Sequence, residues 1–492
     1  MKELPIRIRL EKESGKTLYE QLYEYIREEI RTGSLLPDER LPSARFLSDS
    51  LQVSRTTVDM AYGQLVAEGY LTAKPKSGYF VNATEGQYNT GMSTAGEKVQ
   101  TFGKESASAF RYDFSPTAID MTHFPYTTWK KITKNILVDA KSQMFALGEP
   151  QGDEELRITI CRYLHGSRGV NCGPEQIIIG AGNDFLLLLL EKLLGRHVPI
   201  AMENPTYRRA YRIFHSFAYP ISLVPMDEKG IRVDQLRESG AQVAYVMPSR
   251  QYPTGISMPI GRRMELLSWA AEAEGRYLIE DDYDSEFRYK GRPLPSLQAS
   301  DSQGRVIYLG TFSKSIAPAI RVSYMVLPYP LLEKYRSECS FISSTVSRID
   351  QTILNEFIRD GYFERYLNKM RKVYRGKHDL LLGEIKGWEA DFDVKGENAG
   401  LHILLTDKRG RDEESLVRAA AEADVKVYGM SAFRMMGDAQ AEATLTAKLT
   451  KEVKRPEDGQ RKNSLATVIL GYGGLSETEI REGIGRLKKA WR

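Results

Sequence analysis

Five short apolar runs, at 177–179, 199–202, 243–247, 277–279 and 306–309, recur along the chain with amphipathic stretches such as 260–274 between them. Runs of this length fit strands, and a strand apolar on both sides is buried on both faces. Strands separated by helices pair in parallel, because each helix carries the chain back across the sheet. From Tyr112 onward the pattern therefore predicts an α/β domain with a largely parallel, doubly covered sheet. Such sheets bind ligands beyond the carboxyl ends of their strands. That is where this sequence places its small and polar residues.

The first run leads into Gly180-Ala181-Gly182-Asn183, where small residues let backbone N–H groups approach a phosphate at a helix start. The second leads into Glu203-Asn204-Pro205-Thr206-Tyr207, which sets an aromatic ring where it can stack on a planar ligand. The third is followed by Pro248-Ser249-Arg250-Gln251-Tyr252-Pro253-Thr254-Gly255, and the fourth by Glu280-Asp281-Asp282-Tyr283. The fifth ends in Gly310-Thr311-Phe312-Ser313-Lys314-Ser315. A lysine flanked by hydroxyls has the parts of a Schiff-base site: the amine adds to an aldehyde and the hydroxyls bond a phosphate. A buried carboxylate such as Asp281 could hold a pyridine nitrogen protonated, which makes such a ring an electron sink. Arg321, on the same segment as the lysine, adds charge-assisted bonds to a phosphate.

The first eighty residues follow a different pattern. Leu18, Leu22, Tyr25, Ile26 and Ile30 fall at helical spacing before Gly33. Ser43 is placed to cap a second helix with Phe46, Leu47 and Leu51 facing inward, and Ser54 a third with Val58, Ala61, Tyr62, Leu65 and Val66 on its apolar face. Two extended pieces, 70–73 and 78–81, flank Lys74-Pro75-Lys76-Ser77. Helix, helix-turn-helix and basic-tipped hairpin make a winged helix-turn-helix. Ser54, Arg55, Thr56 and Thr57 begin the third helix, the part that meets base edges in a major groove, with Arg45 on the helix before it. Lys74 and Lys76 suit phosphates or the minor groove.

A length of 492 residues predicts two or more domains, and a net charge of only +4 means that any nucleic-acid contact comes from a local basic patch. Cys161, Cys172 and Cys339 are too few and too scattered for a disulfide framework or a zinc site, so no metal is expected. The N-terminus alternates charge and apolarity, unlike a signal peptide, and no segment is long and apolar enough to span a bilayer, so the expected compartment is the cytoplasm. Residues 82–111 carry Gly, Ser, Thr, Lys and Glu without apolar period, and predict a flexible linker between a head at 1–81 and an effector domain at 112–492. As a coil it reaches about 30 Å.

The stretches Pro42-Ser43-Ala44-Arg45-Phe46-Leu47, Val53-Ser54-Arg55-Thr56-Thr57-Val58, Leu65-Val66-Ala67-Glu68-Gly69-Tyr70-Leu71 and Gly78-Tyr79-Phe80-Val81 resemble the DNA-binding domain of the GntR family. From about 113 on, the ordered motifs Glu203-Asn204-Pro205 to Tyr207, Pro253-Thr254-Gly255, Glu280-Asp281-Asp282-Tyr283 and Ser313-Lys314 resemble a fold-type I aminotransferase, which binds pyridoxal 5′-phosphate (PLP). The whole chain resembles the MocR family of regulators. That resemblance implies Lys314 as the Schiff-base lysine (an internal aldimine), Asp281 at the pyridine nitrogen, Tyr283 at the ring hydroxyl and Tyr207 stacked on the ring. It implies Ala181, Gly182, Asn183, Thr311, Ser313 and Arg321 around the phosphate, and a homodimer in which the linker permits head-to-tail swapping. Two heads would then read operator half-sites on successive turns of DNA.

The sequence departs from active aminotransferases in two places. Tyr252 stands where they carry Asn before Pro-Thr-Gly. Ile469, in Val468-Ile469-Leu470-Gly471-Tyr472, aligns with the Arg that grips a substrate carboxylate. Arg209 and Arg434 are the alternative anion grips. Two functions follow: a regulator that senses PLP, or an amine effector such as GABA, D-alanine or taurine, by exchange at Lys314; or a working aminotransferase with an autoregulatory DNA-binding domain. The lost grip favours the first. The stretch 437–463, charged and rich in Ala and Thr, resembles a surface insertion.

Overall fold

The computed structural model describes residues 8, 10, 15–83, 110–138, 142–289, 294–396, 400–436 and 465–492. Most of the expected linker and the 437–463 stretch lie outside the described residues. The chain divides into two compact units, Met1–Glu105 and Ser106–Arg492.

In the first unit, helices Leu18–Arg31, Ala44–Leu51 and Arg55–Ala67 precede a hairpin of Leu71–Lys74 and Gly78–Val81, in register from Leu71 opposite Val81 to Lys74 opposite Gly78. Side-chain oxygens start the second and third helices as expected. Ser43 Oγ accepts from the Phe46 N–H at 3.2 Å, and Ser54 Oγ accepts from the Thr57 N–H at 3.1 Å. Each satisfies a backbone donor that the helix itself leaves unpaired. Leu22, Ile26, Leu47, Val58, Tyr62 and Leu65 close the core, and the Tyr62 hydroxyl donates to the Pro42 carbonyl at 3.0 Å.

Phe46 corrects the sequence expectation: it is 54% exposed, while Ala44, Leu47 and Ser48 fill the inward face and Leu51 is only half-buried. At about 100° per residue, Ala44, Leu47 and Ser48 fall on one face of the helix and Phe46 on the opposite one. Asn82 is tied in, its N–H donating to the Tyr70 carbonyl at 2.9 Å and its side-chain amide to the Gly69 carbonyl at 2.6 Å.

The second unit is built on an eight-stranded sheet in the spatial order Ile177–Gly180, Ser323–Val326, Val306–Thr311, Tyr277–Asp282, Val243–Val246, Ile200–Asn204, Ile221–Asp227 and Gly230–Ile231. The five strands from Val306–Thr311 through Ile221–Asp227 pair in parallel, and Ser323–Val326 runs antiparallel to both its neighbours. Successive residues alternate between two covered faces, which is why these strands read as unbroken apolar runs. Ile178, Ile200, Met202 and Ile279 pack with Leu186 and Leu190 of helix Asn183–Leu194. Ala201 and Leu278 pack with Leu266 and Trp269 of helix Ile260–Ala271, and Ile177 and Ile179 with Leu156, Ile160 and Leu164 of helix Glu154–Arg168.

A second, four-stranded antiparallel sheet has the order Phe392–Lys395, His402–Asp407, Thr467–Gly471, Tyr428–Gly429. It packs against helices Glu413–Glu422 and Glu477–Ala490. Among the described residues no helix is long and apolar enough to cross a membrane.

Candidate functional site

Strand Val306–Thr311 runs beside Tyr277–Asp282 with Leu309 opposite Asp281, so Asp281 and the turn carrying Lys314 emerge at the same sheet edge. Gly310 permits this: a Cβ there would sit 2.3 Å from the Tyr324 ring. The turn is held by Thr311, whose hydroxyl accepts from the Ser313 N–H at 3.2 Å and from the Ser323 hydroxyl at 2.8 Å. Together these place Lys314 on the wall of a cavity of about 200 Å³. Asn183, Tyr207, Tyr252, Asp281, Tyr283, Thr311, Ser313, Lys314 and Arg321, all anticipated from sequence, line it, as does Arg209.

The Lys314 amine donates to the backbone carbonyls of Thr117 at 2.9 Å and Pro116 at 3.2 Å. Burial pushes its pKa down to about 8; Asp284 opposes that shift and Arg250 adds to it. Burial likewise pushes the Asp281 carboxyl up to about 7, against hydrogen bonds from the Tyr245 hydroxyl and the Asn183 side chain. Tyr252 is buried and meets Tyr207, Tyr283, His402 and Phe433 edge-on, with centroids 5.3–5.9 Å apart.

Gly182 has φ +88° and lies so close to the Arg321 guanidinium that a Cβ would stand 2.4 Å from Nη2. Arg321 and Arg209 share one carboxylate, Asp184, at 3.1 and 2.6 Å. The Ala181 N–H, expected at the phosphate, donates instead to the Thr345 hydroxyl at 3.0 Å. Arg434 is exposed and outside the cavity lining, although its neighbours Phe433 and Met435 dock on Thr206 and Asn204. Ile469 is fully buried against Leu404 and Met430, so an apolar side chain holds the place aligned with a carboxylate-gripping arginine.

Sequence reasoning passed over several residues here. Tyr245 holds Asp281 from the neighbouring strand. Arg250 and Asp284 form a buried ion pair at 2.8 Å, with Arg250 also donating to the His402 carbonyl at 3.1 Å. Gly400 is required there, since a Cβ would collide with the guanidinium. The three cysteines are buried and free of disulfides, and two of them, Cys161 and Cys172, eleven residues apart in sequence, come together with His165, their ligand atoms all within 4.8 Å of one another.

PLP fits this cavity on the structure's own terms. Three polar atoms of the lining, Asn183 Oδ1, Tyr283 Oη and Ser313 Oγ, are buried without a hydrogen-bond partner, and buried polar groups ordinarily have one. A buried carboxylate, a weakened lysine amine and an exposed guanidinium beside a helix start supply complements for a ring nitrogen, an aldehyde and a phosphate.

In the first unit, Arg45, Arg55, Thr56, Lys74 and Lys76 are exposed. Arg55 holds Asp59 one turn on at 3.5 Å, and the Ser54 and Thr57 hydroxyls bond each other at 2.8 Å, so these two serve the helix cap. The Lys74 ammonium lies 4.5 Å from the centre of the Phe80 ring.

Comparison with known proteins agrees with both units. Residues 18–81 match the family model "Bacterial regulatory proteins, gntR family", and residues 119–453 match "Aminotransferase class I and II". Among solved structures, the multiple substrate aminotransferase of Thermococcus profundus is 25% identical with a TM-score of 0.64, covering 77% of this chain and 90% of its own. The fold is that of the PLP-dependent aminotransferases. The "Uncharacterized HTH-type transcriptional regulator YdeL" of Bacillus subtilis (strain 168) is 39% identical across 96% of this chain and 97% of its own. The "HTH-type pyridoxine biosynthesis transcriptional regulator PdxR" of Corynebacterium glutamicum is 33% identical across 84% of this chain and 87% of its own. The "Probable rhizopine catabolism regulatory protein MocR" of Rhizobium meliloti is 30% identical across 98% of this chain and 95% of its own. With a GntR-type head, an aminotransferase-like domain and relatives aligned through both, the chain belongs to the MocR family of HTH-type transcriptional regulators.

Proposed function

We propose that the protein is a PLP-dependent transcription regulator whose effector domain senses PLP, or an amine that competes with Lys314 for it. The reading rests on one observation above others: a lysine amine weakened by burial shares a cavity with a buried carboxylate and unpartnered hydroxyls. When bound, PLP supplies an aldehyde that condenses reversibly with amines, so an amine effector and Lys314 compete for one carbonyl carbon. With its pKa raised to about 7, Asp281 is only partly ionised at neutral pH, and the positive charge of a protonated pyridine nitrogen would hold it fully ionised. Tyr283 would take the ring hydroxyl, Tyr207 and Tyr252 would flank the ring, and Asn183, Thr311, Ser313 and Arg321 would hold the phosphate at the turn made by Ala181 and Gly182.

Pro116 and Thr117 give the lysine a signalling role. They lie a few residues past the expected linker, and a Lys314 amine free of other partners holds their carbonyls. Engaging or releasing the amine therefore changes what grips the start of the effector domain, which is a route from cavity to heads. Arg209, exposed at the rim and paired with Asp184, is the effector grip this geometry favours over Arg434. The heads act on operator DNA in the cytoplasm as a homodimer.

The test is the visible absorption spectrum of the purified protein with PLP, alone and with amines, beside Lys314→Ala. A band that needs Lys314 and shifts with one amine supports amine sensing; a band indifferent to every amine leaves PLP as the signal. No band after adding PLP defeats the reading. Multiple turnovers with an ordinary amino donor and keto acid would replace it with the aminotransferase alternative.

A further inference from the structure

The helix that buries one face of the sheet, Glu154–Arg168, carries Cys161 and His165 one turn apart, and the loop that leads from it to strand Ile177–Gly180 brings Cys172 against them. We propose that Cys161, His165 and Cys172 form a binding site for a thiophilic divalent cation of the zinc class, outside the cofactor cavity. Residues four apart on a helix face the same way, so the pair from the helix is preset and the loop supplies the third ligand.

The distances suit this chemistry. Cys161 Sγ and His165 Nε2 are 3.8 Å apart. A tetrahedral zinc with usual bond lengths to sulfur and nitrogen sets that edge at about 3.6 Å. Without an ion, Cys161 Sγ donates to the Cys172 carbonyl at 3.2 Å and His165 Nε2 lies 2.9 Å from the same oxygen, contacts that both groups exchange for the cation. Both cysteines are buried and carry no disulfide, while His165 is exposed, which gives the cation an entrance and solvent a fourth coordination position. Two thiolates and one neutral imidazole cancel the charge of a divalent ion, so the filled site carries no net charge in a poorly solvated place. Binding releases the two thiol protons to solvent.

The site's position gives it reach. On one side the same helix ends in Arg168, which pairs with buried Asp282 at 2.8 Å, the neighbour of Asp281. On the other, the Cys172 loop feeds the strand that ends at Gly180, immediately before the Gly182 turn of the cofactor cavity. A cation there pins a helix end to the strand entering the site.

The full-length protein, reduced, stripped with chelator and dialysed into buffered zinc, is analysed for bound metal; a parallel sample with one equivalent of cobalt(II) is read for thiolate-to-cobalt charge-transfer and long-wavelength ligand-field absorption. The expected result is one zinc per chain and a cobalt spectrum of tetrahedral sulfur coordination. Cys161→Ser and Cys172→Ser should each weaken zinc by at least about tenfold. His165→Gln, at an exposed position that leaves the core untouched, should weaken it while the far-ultraviolet circular dichroism stays unchanged. Cys339→Ala should bind as the native chain does. Absence of stoichiometric zinc, binding that survives Cys161→Ser and His165→Gln, or cobalt spectra without sulfur character each overturn the assignment.

Discussion

Lys314 and Asp281 have both been moved by the same cause, in opposite directions along the pH scale: burial disfavours the charged form, lowering the amine to about 8 and raising the carboxyl to about 7. The amine attacks an aldehyde only when neutral. The rate of PLP capture, followed by the rise of visible absorption, should therefore climb about tenfold per pH unit below 8 and level above it, whereas an ordinary lysine would keep accelerating toward pH 10. The Arg250–Asp284 pair makes a second residue-scale prediction. Both side chains are buried, so Asp284→Asn leaves an uncompensated guanidinium in the core. The expected cost is about 3–5 kcal/mol of unfolding free energy in urea titrations, with a further fall in the Lys314 pKa because a stabilising negative charge is gone. A cost below about 1 kcal/mol would mean that solvent reaches Arg250. Neither Tyr245 nor Asp284 could be assigned from sequence, since a tyrosine within a strand and an acid in a turn have ordinary explanations everywhere.

Secondary elements were largely legible because their signals are local. The two serine caps, the hairpin tip and the apolar runs each follow from a few adjacent residues, and the structure keeps them, with strand ends shifted by one to three residues. Phe46 was misjudged because apolar character alone does not fix rotation about a helix; the tighter pattern Ala44, Leu47, Ser48 does. The third helix of the head supports a prediction that separates reading from folding. Arg55→Ala should weaken specific operator binding by about 1–3 kcal/mol per lost base contact, measured by gel shift at fixed salt, without lowering the head's melting temperature. Ser54→Ala should do the reverse, removing an N-cap at about 0.5–2 kcal/mol of stability. Equal operator affinity for Arg55→Ala and the native protein would place the recognition surface elsewhere.

At the scale of the whole molecule, what sequence order could not convey is proximity. Cys161 with Cys172, or Lys314 with Pro116 and Thr117, meet only because the sheet folds distant segments together. The same limit applies to surfaces. Leu137, Val138, Phe145 and Leu147 are 49–81% exposed within eleven residues of chain, on a domain whose other large apolar side chains are mostly buried. Singly exposed apolar residues are ordinary, but four so close in sequence are what a face covered by a partner would leave bare in one chain. In the dimeric regulator proposed above, that partner would be a second copy of this chain. Phe145→Asp combined with Leu147→Asp should therefore convert the protein from dimer to monomer in light scattering at micromolar concentration. It should also cost operator affinity far more than it costs binding to a single half-site, because two linked heads raise each other's effective concentration on the DNA. If the double variant stays dimeric with native operator affinity, the subunits meet through another face, and Phe145 and Leu147 are exposed for a different reason.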